Sequence, residues 1–326
     1  LLPQGGQAVV SDKLLTDPFL QFPTVNSVRV VWFTEFEGQE HTVRWGQPGQ
    51  SPENAAANLP NQVTAVTTRL SRTREDEKSR INHPDFQDLK LSVPRPIWRH
   101  EALVGDLPPG QRVPYQVASR AADGTEIESR IFTLAPAPQP GQPTTVLLTS
   151  DHQNMPMTAA NLQKVQETIG QVDAVFMAGD LVNIPDRASE WFDDSRGCAF
   201  FACLQGLGDF ALERNGQTVQ YQGGELIQHA PMFPALGNHE VMGRFSQTAP
   251  LHDQFGDPIP RAEAVTMYNA QASLFNPSGD DNLRRQWVIN NSFNSSTYEE
   301  LFSLPLSQVP NPDRPEETSR YYAITL

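Results

Sequence analysis

Between Val25 and Pro136, apolar and polar residues alternate in short runs set off by turn residues. That period belongs to half-buried strands rather than helices. Val28-Arg29-Val30-Val31-Trp32, His41-Thr42-Val43-Arg44-Trp45, Val63-Thr64-Ala65-Val66, Glu101-Ala102-Leu103-Val104, Val113-Pro114-Tyr115-Gln116-Val117 and Ile131-Phe132-Thr133-Leu134 are predicted as strands. Their spacing predicts an antiparallel sandwich over residues 20–136. Ala135 to Pro143 holds four prolines, which withdraw backbone donors and favour extended chain, so 137–143 is expected to be a linker.

Past the linker the period changes. Thr145–Thr149 is predicted as a buried strand, Thr158–Ile169 as a helix closed by Gly170, Ala174–Ala178 as a second buried strand and Met232–Leu236 as a third. Strand, helix, strand is the α/β signature with parallel strands, here over residues 144–326. Residues 241–315 are polar and punctuated by Asn-Pro, Pro-Asn and Asn-Asn, and are expected to form a long loop with short helices. No internal repeat is found.

Composition narrows the classes. A chain of 326 residues with 38% hydrophobic and 19% charged positions is soluble and globular, and long enough for two domains. No apolar stretch is long enough to cross a bilayer. The net charge of -14 excludes general affinity for a phosphate backbone, so no nucleic-acid patch is expected, and an anionic substrate needs local positive charge such as metal ions. The mixed-charge run Arg69–Arg80 is expected to be a solvated loop. Two cysteines, Cys198 and Cys203, imply no disulfide framework. The chain opens at Leu1 without Met and closes on the alternating run Tyr321–Leu326, which predicts a fragment whose last strand is incomplete and whose signal region, if any, lies upstream.

Each predicted buried strand runs into oxygen or nitrogen ligands: Ser150-Asp151-His152-Gln153, Gly179-Asp180 and Gly237-Asn238-His239-Glu240. In open α/β sheets the carboxyl ends of parallel strands converge on one crevice, so these turns can aim Asp151, Asp180 and Asn238 at a common point. Oxygen-rich clusters with an occasional imidazole suit Mg, Mn, Fe or Zn, and two ions bridged by a carboxylate can clamp a phosphoryl group and generate hydroxide. The plainer alternatives are that the aspartates are turn or cap residues and His239 a structural histidine. His152, His229 and His252 are expected to be structural or exposed. His239-Glu240-Val241-Met242-Gly243 is no zinc-protease helix, because Gly243 stands where the second His is required.

The order Asp-x-His, Gly-Asp, Gly-Asn-His-Glu resembles that of the calcineurin-like metallophosphoesterases. Leu107-Pro108-Pro109-Gly110 with Val113, Tyr115, Val117 and Trp32 resembles a corner of a fibronectin type III-like domain. The whole chain is similar to the purple acid phosphatase-like arrangement. That resemblance implies a fibronectin-like sandwich before an incomplete four-layer α/β/β/α domain, and a secreted, periplasmic or cell-surface location. It also implies two divalent or trivalent ions (Fe, Mn or Zn) in the complete protein and a phosphate monoester or diester substrate. Asp151 would bind the first ion, Asp180 both, Asn238 the second, and His239 would assist phosphate binding or protonate the leaving group. Three departures stand out. Gln153 replaces the expected His, Asn183 stands where relatives carry Tyr or Asp, and the later histidines would lie beyond Leu326, so this fragment is expected to be inactive. The rival reading is a catalytically degenerate extracytoplasmic binding or adhesion protein.

Overall fold

The computed structural model describes residues 13–52, 59–305 and 322–324. Eleven strands come first among them: β1 (Phe19–Gln21), β2 (Val28–Thr34), β3 (Glu40–Trp45), β4 (Asn61–Thr64), β5 (Val66–Arg69), β6 (Arg74–Glu75), β7 (Val93–Pro94), β8 (Trp98–Val104), β9 (Val113–Arg120), β10 (Glu126–Glu128) and β11 (Phe132–Leu134). One antiparallel sheet runs β1-β2-β8-β5, and a second runs β10-β9-β3-β4 with β11 also on β9. Leu20, Val28, Val30, Trp32, Val43 and Val117 meet between them in a shared core. The indole N–H of Trp32 donates to Ser119 Oγ at 2.9 Å, so the largest ring of that core is not left with an unmet donor.

The run Val63–Val66 is two strands, not the single one expected. Ala65 separates β4, on the second sheet, from β5, on the first. Alternation continues through the crossover, so the pattern alone does not show it.

β2 explains why its sequence is a nearly unbroken apolar run. Val28, Val30 and Trp32 face the sandwich core, while Val31 and Phe33, on the opposite face, join a different cluster. A sheet buried on both faces loses the polar half of its alternation.

The second cluster belongs to the rest of the chain: β12 (Val146–Thr149), α1 (Thr158–Ile169), β13 (Ala174–Met177), α2 (Ala188–Phe192), α3 (Phe200–Leu204), a hairpin of β14 (Phe210–Arg214) and β15 (Gln217–Tyr221), and β16 (Met232–Pro234). β12, β13 and β16 form a parallel sheet in that order. α1 matches the predicted helix. It stops at Gly170, whose φ of 78° suits a residue without Cβ and whose N–H bonds Gln166 O. β12 is not the buried strand expected. Leu147 packs inward, but Val146 and Leu148 are 45% and 72% exposed, because among the described residues no layer covers that face of this edge strand.

Residues beyond 241 are more helical than expected: α4 (Leu251–Phe255), α5 (Arg261–Phe275), α6 (Asp281–Asn290) and α7 (Ser296–Leu301). α5 and α6 bury only Ala264, Tyr268 and Val288, so their apolar period is too thin to stand out against the punctuation. Asp280 caps α6, accepting from Asn282 N at 2.7 Å. Residues 306–315 of the expected loop lie outside the described residues. So do Tyr321, Thr325 and Leu326 of the predicted closing strand; Tyr322–Ile324 form no strand, and the Tyr322 hydroxyl donates to Pro234 O at 2.7 Å.

The two units share one interface. Phe33 lies 5.0 Å from Phe192 and 5.4 Å from Phe201, and Phe19 lies 5.1 Å from Phe201. Leu20 N bonds Ile227 O at 3.0 Å. Here the expectation for Arg69–Arg80 is overturned, because Arg72, Thr73, Arg74, Glu75 and Asp76 are buried. Several of their partners lie across the interface. Asp76 holds Arg187, and Glu75 accepts from Ser189 N and Oγ, both at 2.8 Å. Arg95, itself 1% exposed, binds Glu35, Glu75 and Asp193. Composition cannot distinguish a solvated charge run from one whose partners come from distant sequence.

Candidate active site

The parallel strands deliver three turns to one edge of the sheet. Asp151 N donates to Gly179 O at 3.2 Å and Gln153 N to Leu181 O at 3.0 Å, which lays the first turn against the second. The second and third turns touch through glycines: a Cβ on Gly179 would lie 2.8 Å from Gly237 Cα. Only two glycines allow that approach.

Backbone conformation marks the same place. Asp151, Gln153, Asn154 and Asp180 have φ of 51°, 40°, 52° and 55°, half of the eight non-glycine residues described with positive φ. Such residues persist where surrounding bonds over-determine them, and they cluster at functional sites. Those bonds are present. Glu240, fully buried, accepts from Asp180 N at 2.9 Å, Gly237 N at 2.8 Å and Leu181 N at 2.7 Å. Burial pushes its carboxyl above the usual carboxylate range, and the three N–H groups pull it back.

Asp180, Gln153 and His239 are half-buried, while Asp151 and Asn238 are exposed. His239 N donates to Asp180 Oδ1 at 3.1 Å, and the His239 ring lies 5.2 Å from Phe255 at 26°. His239 Nδ1 is 2.8 Å from the carbonyl of Asn183. A carbonyl only accepts, so Nδ1 carries the proton, and in the neutral ring Nε2 is left as the acceptor. Asn183 Nδ2 also donates to Gln153 O at 2.7 Å, so this asparagine connects two of the site's segments.

His152 turns away from its neighbours. It is 5% exposed and beside Phe200, its Nδ1 has no partner, and burial lowers its pKa to about 4. His229 is structural, between Thr133 Oγ1 at 2.8 Å and Glu225 Oε1 at 2.9 Å, and His252 is exposed. A cavity of about 580 Å³ lies elsewhere, between Leu14, His83 and Phe192, and none of the predicted site residues lines it.

The donor set tests the expected metals. Among the described residues no group of three or more His, Cys, Asp or Glu could hold a metal ion. Asp151 and Asp180 offer carboxylates, and Gln153 and Asn238 offer amide oxygens. Oxygen donors of these kinds are the ones hard cations prefer, and four of them fall short of what a pair of ions needs.

Sequence reasoning missed the residues that hold the site rather than face it. Glu190 Oε2 accepts from Asn183 N at 2.7 Å and Ile184 N at 3.0 Å, and Arg187 binds Glu190 Oε1 at 2.7 Å. No motif announces Arg187 or Glu190; Glu240, which also holds the site, closes the pattern Gly-Asn-His-Glu.

No protein-family profile and no curated protein matches the chain. Among solved structures it is similar to the purple acid phosphatase PPD1 from seeds of yellow lupin (Lupinus luteus), with 20% identity over 73% of this chain and a TM-score of 0.46. It is also similar to PhoD, with 12% identity over 98% of this chain and a TM-score of 0.46. The chain spans 38% and 51% of their respective lengths.

Proposed function

We propose that the chain is part of a metal-dependent phosphoesterase acting on a phosphate monoester or diester, with a fibronectin type III-like sandwich at residues 20–136, a linker at 137–143 and the catalytic α/β unit from 144. The observation that supports this best is the meeting of three strand-end turns, with left-handed backbone at Asp151, Gln153, Asn154 and Asp180, that carry two carboxylates and an imidazole. Asp151 and Asp180 would hold a cation with help from the amide oxygens of Gln153 and Asn238. When bound, the cation supplies positive charge to the phosphoryl oxygens and acidifies a water. Glu240 keeps the Asp180 and Asn238 turns together, and His239, donating through Nδ1 to Asn183, keeps Nε2 for the substrate. In its protonated form that nitrogen can assist departure of the leaving group. A secreted or cell-surface setting accords with this reading.

The rival reading, a degenerate binding protein, draws support from the shortage of ligands among the described residues. Calorimetric titration of Mn²⁺ into the whole protein, with hydrolysis of p-nitrophenyl phosphate and bis(p-nitrophenyl) phosphate assayed in parallel, separates the two. Ion binding that disappears in Asp180→Asn, together with turnover, supports the enzyme. Neither binding nor turnover leaves the binding protein.

A further inference from the structure

One buried side chain of the N-terminal β unit leads to the candidate site by two routes. Asp76 follows β6, is 3% exposed and uses both carboxylate oxygens on the other unit. Its Oδ1 accepts from Arg187 Nη2 at 3.0 Å, and its Oδ2 from Leu251 N at 2.8 Å.

Both contacts lead to His239. Along the first, Arg187 Nη1 donates to Glu190 Oε1 at 2.7 Å, and Glu190 Oε2 fixes Asn183 N at 2.7 Å and Ile184 N at 3.0 Å. The Asn183 carbonyl so placed receives His239 Nδ1 at 2.8 Å. Along the second, Leu251 opens α4, and Phe255 at its other end stacks on the His239 ring. Arg187 and Glu190 are 7% and 5% exposed, so water does not compete for these bonds.

We propose that Asp76 is a positioning residue for the His239 imidazole, holding its tautomer through Arg187, Glu190 and the Asn183 carbonyl and its ring plane through Leu251 and Phe255. This rests on the reading of His239 as the group that faces the phosphoester. It gives the N-terminal β unit a part in the reaction that an adhesive domain would not have. An interface made only for stability would be served by Arg95 with Glu35 and Asp193, none of which contacts this chain of bonds.

The test reads the ring directly. In protein labelled with ¹⁵N-histidine, with His239 assigned through His239→Gln, the native His239 is expected to show a protonated Nδ1 and an unprotonated Nε2. In Asp76→Asn the two shifts should move toward each other as the tautomers mix, whereas Glu35→Gln, which loosens the same interface elsewhere, should leave them unchanged. With p-nitrophenyl phosphate, Asp76→Asn should lower kcat roughly ten- to hundredfold while KM stays within about twofold. A native neutral ring that carries its single proton on Nε2 overturns the proposal without any variant. So does an Asp76→Asn spectrum identical to the native one, or an equal shift in Glu35→Gln. If Asp76→Asn does not fold, Glu190→Gln is read against the same criteria. Resonances that behave as expected in a protein with no turnover would sink the phosphoesterase reading and leave the positioning role standing.

Discussion

The buried carboxylate of Glu240 bonds the amide of Asp180 at 2.9 Å, and through the same oxygen the amide of Gly237 at 2.8 Å. One side chain thereby fixes the distance between the second and third turns. Its charge is held by backbone N–H groups rather than by a cation.

That contact leaves no room for a methyl group. A Cβ on Gly237 would overlap the Asp180 carboxylate and lie 2.5 Å from Asp180 N. Gly237→Ala is therefore expected to cost about 1–3 kcal/mol in urea unfolding, as overpacking does, and to weaken Mn²⁺ binding. Gly105→Ala, with nothing within 4 Å of its Cβ and, like Gly237, no positive φ, controls for the change of residue alone. Equal stability and binding in both variants would show that the turns can separate freely.

The shared aromatic interface sets how the two units unfold. Residues 20–136 alone would expose Val31, Phe33 and Ile97, all of which are buried against the second unit. A single calorimetric transition is expected for the whole chain. Phe33→Ala should lower its stability by about 3–5 kcal/mol without splitting it. Two separated transitions in the native protein would show that the interface does not couple them.

A buried histidine pair gives the sandwich an acid limit. The rings of His41 and His100 stack with centroids 3.6 Å apart. His41 Nε2 meets the Glu37 carbonyl at 2.6 Å, and Thr34 Oγ1, between His100 Nε2 and the Phe36 carbonyl, gives its hydrogen to that carbonyl. Both rings are accordingly Nε2–H and neutral. Burial lowers the pKa of each, that of His100 to about 2, from an unfolded value of 6.5. With the folded values depressed, the unfolded chain takes up protons first. The stability is complete above about pH 6.5 and declines as pH falls below it, by up to about 1.4 kcal/mol per pH unit for each ring. Thermal midpoints measured from pH 8 to pH 5 should fall on the acid side, with a shallower slope in His100→Gln. A flat profile would mean that the pair is protonated or solvated in the folded protein.

Legibility followed the range of the interactions. α1 could be read because its apolar face and its terminal glycine are local. The three turns could be read because each abuts an apolar strand and carries its candidate ligands in sequence. Arg72–Asp76 could not, since their partners Arg187, Ser189 and Asn290 lie more than a hundred residues away. α5 and α6 were hidden by how little they bury, and Asn183 was noticed as a departure from a pattern when its importance is as a junction.

The roles given to Asp180 and His239 predict different losses. Asp180 Oδ1 already accepts from His239 N, so its carboxylate, besides the cation role proposed for it, holds the start of the third turn. Asp180→Asn removes the charge and keeps the acceptor oxygen; the turn should survive while Mn²⁺ affinity drops by an order of magnitude or more. His239→Gln keeps a polar side chain but loses the ring that stacks on Phe255. Because Nδ1 is committed to Asn183, the ring offers a cation at most Nε2, so ion binding should change little while kcat falls by about 10²–10⁴, the range of a lost general acid. Gln153→Ala should fall between, weakening ion binding without abolishing it, since its backbone carbonyl and not its amide holds Asn183. Calorimetry for the ion and steady-state kinetics for the ester measure the two quantities separately. Equal loss of ion in all three variants would place His239 among the ligands and return the proton-donor role to another group.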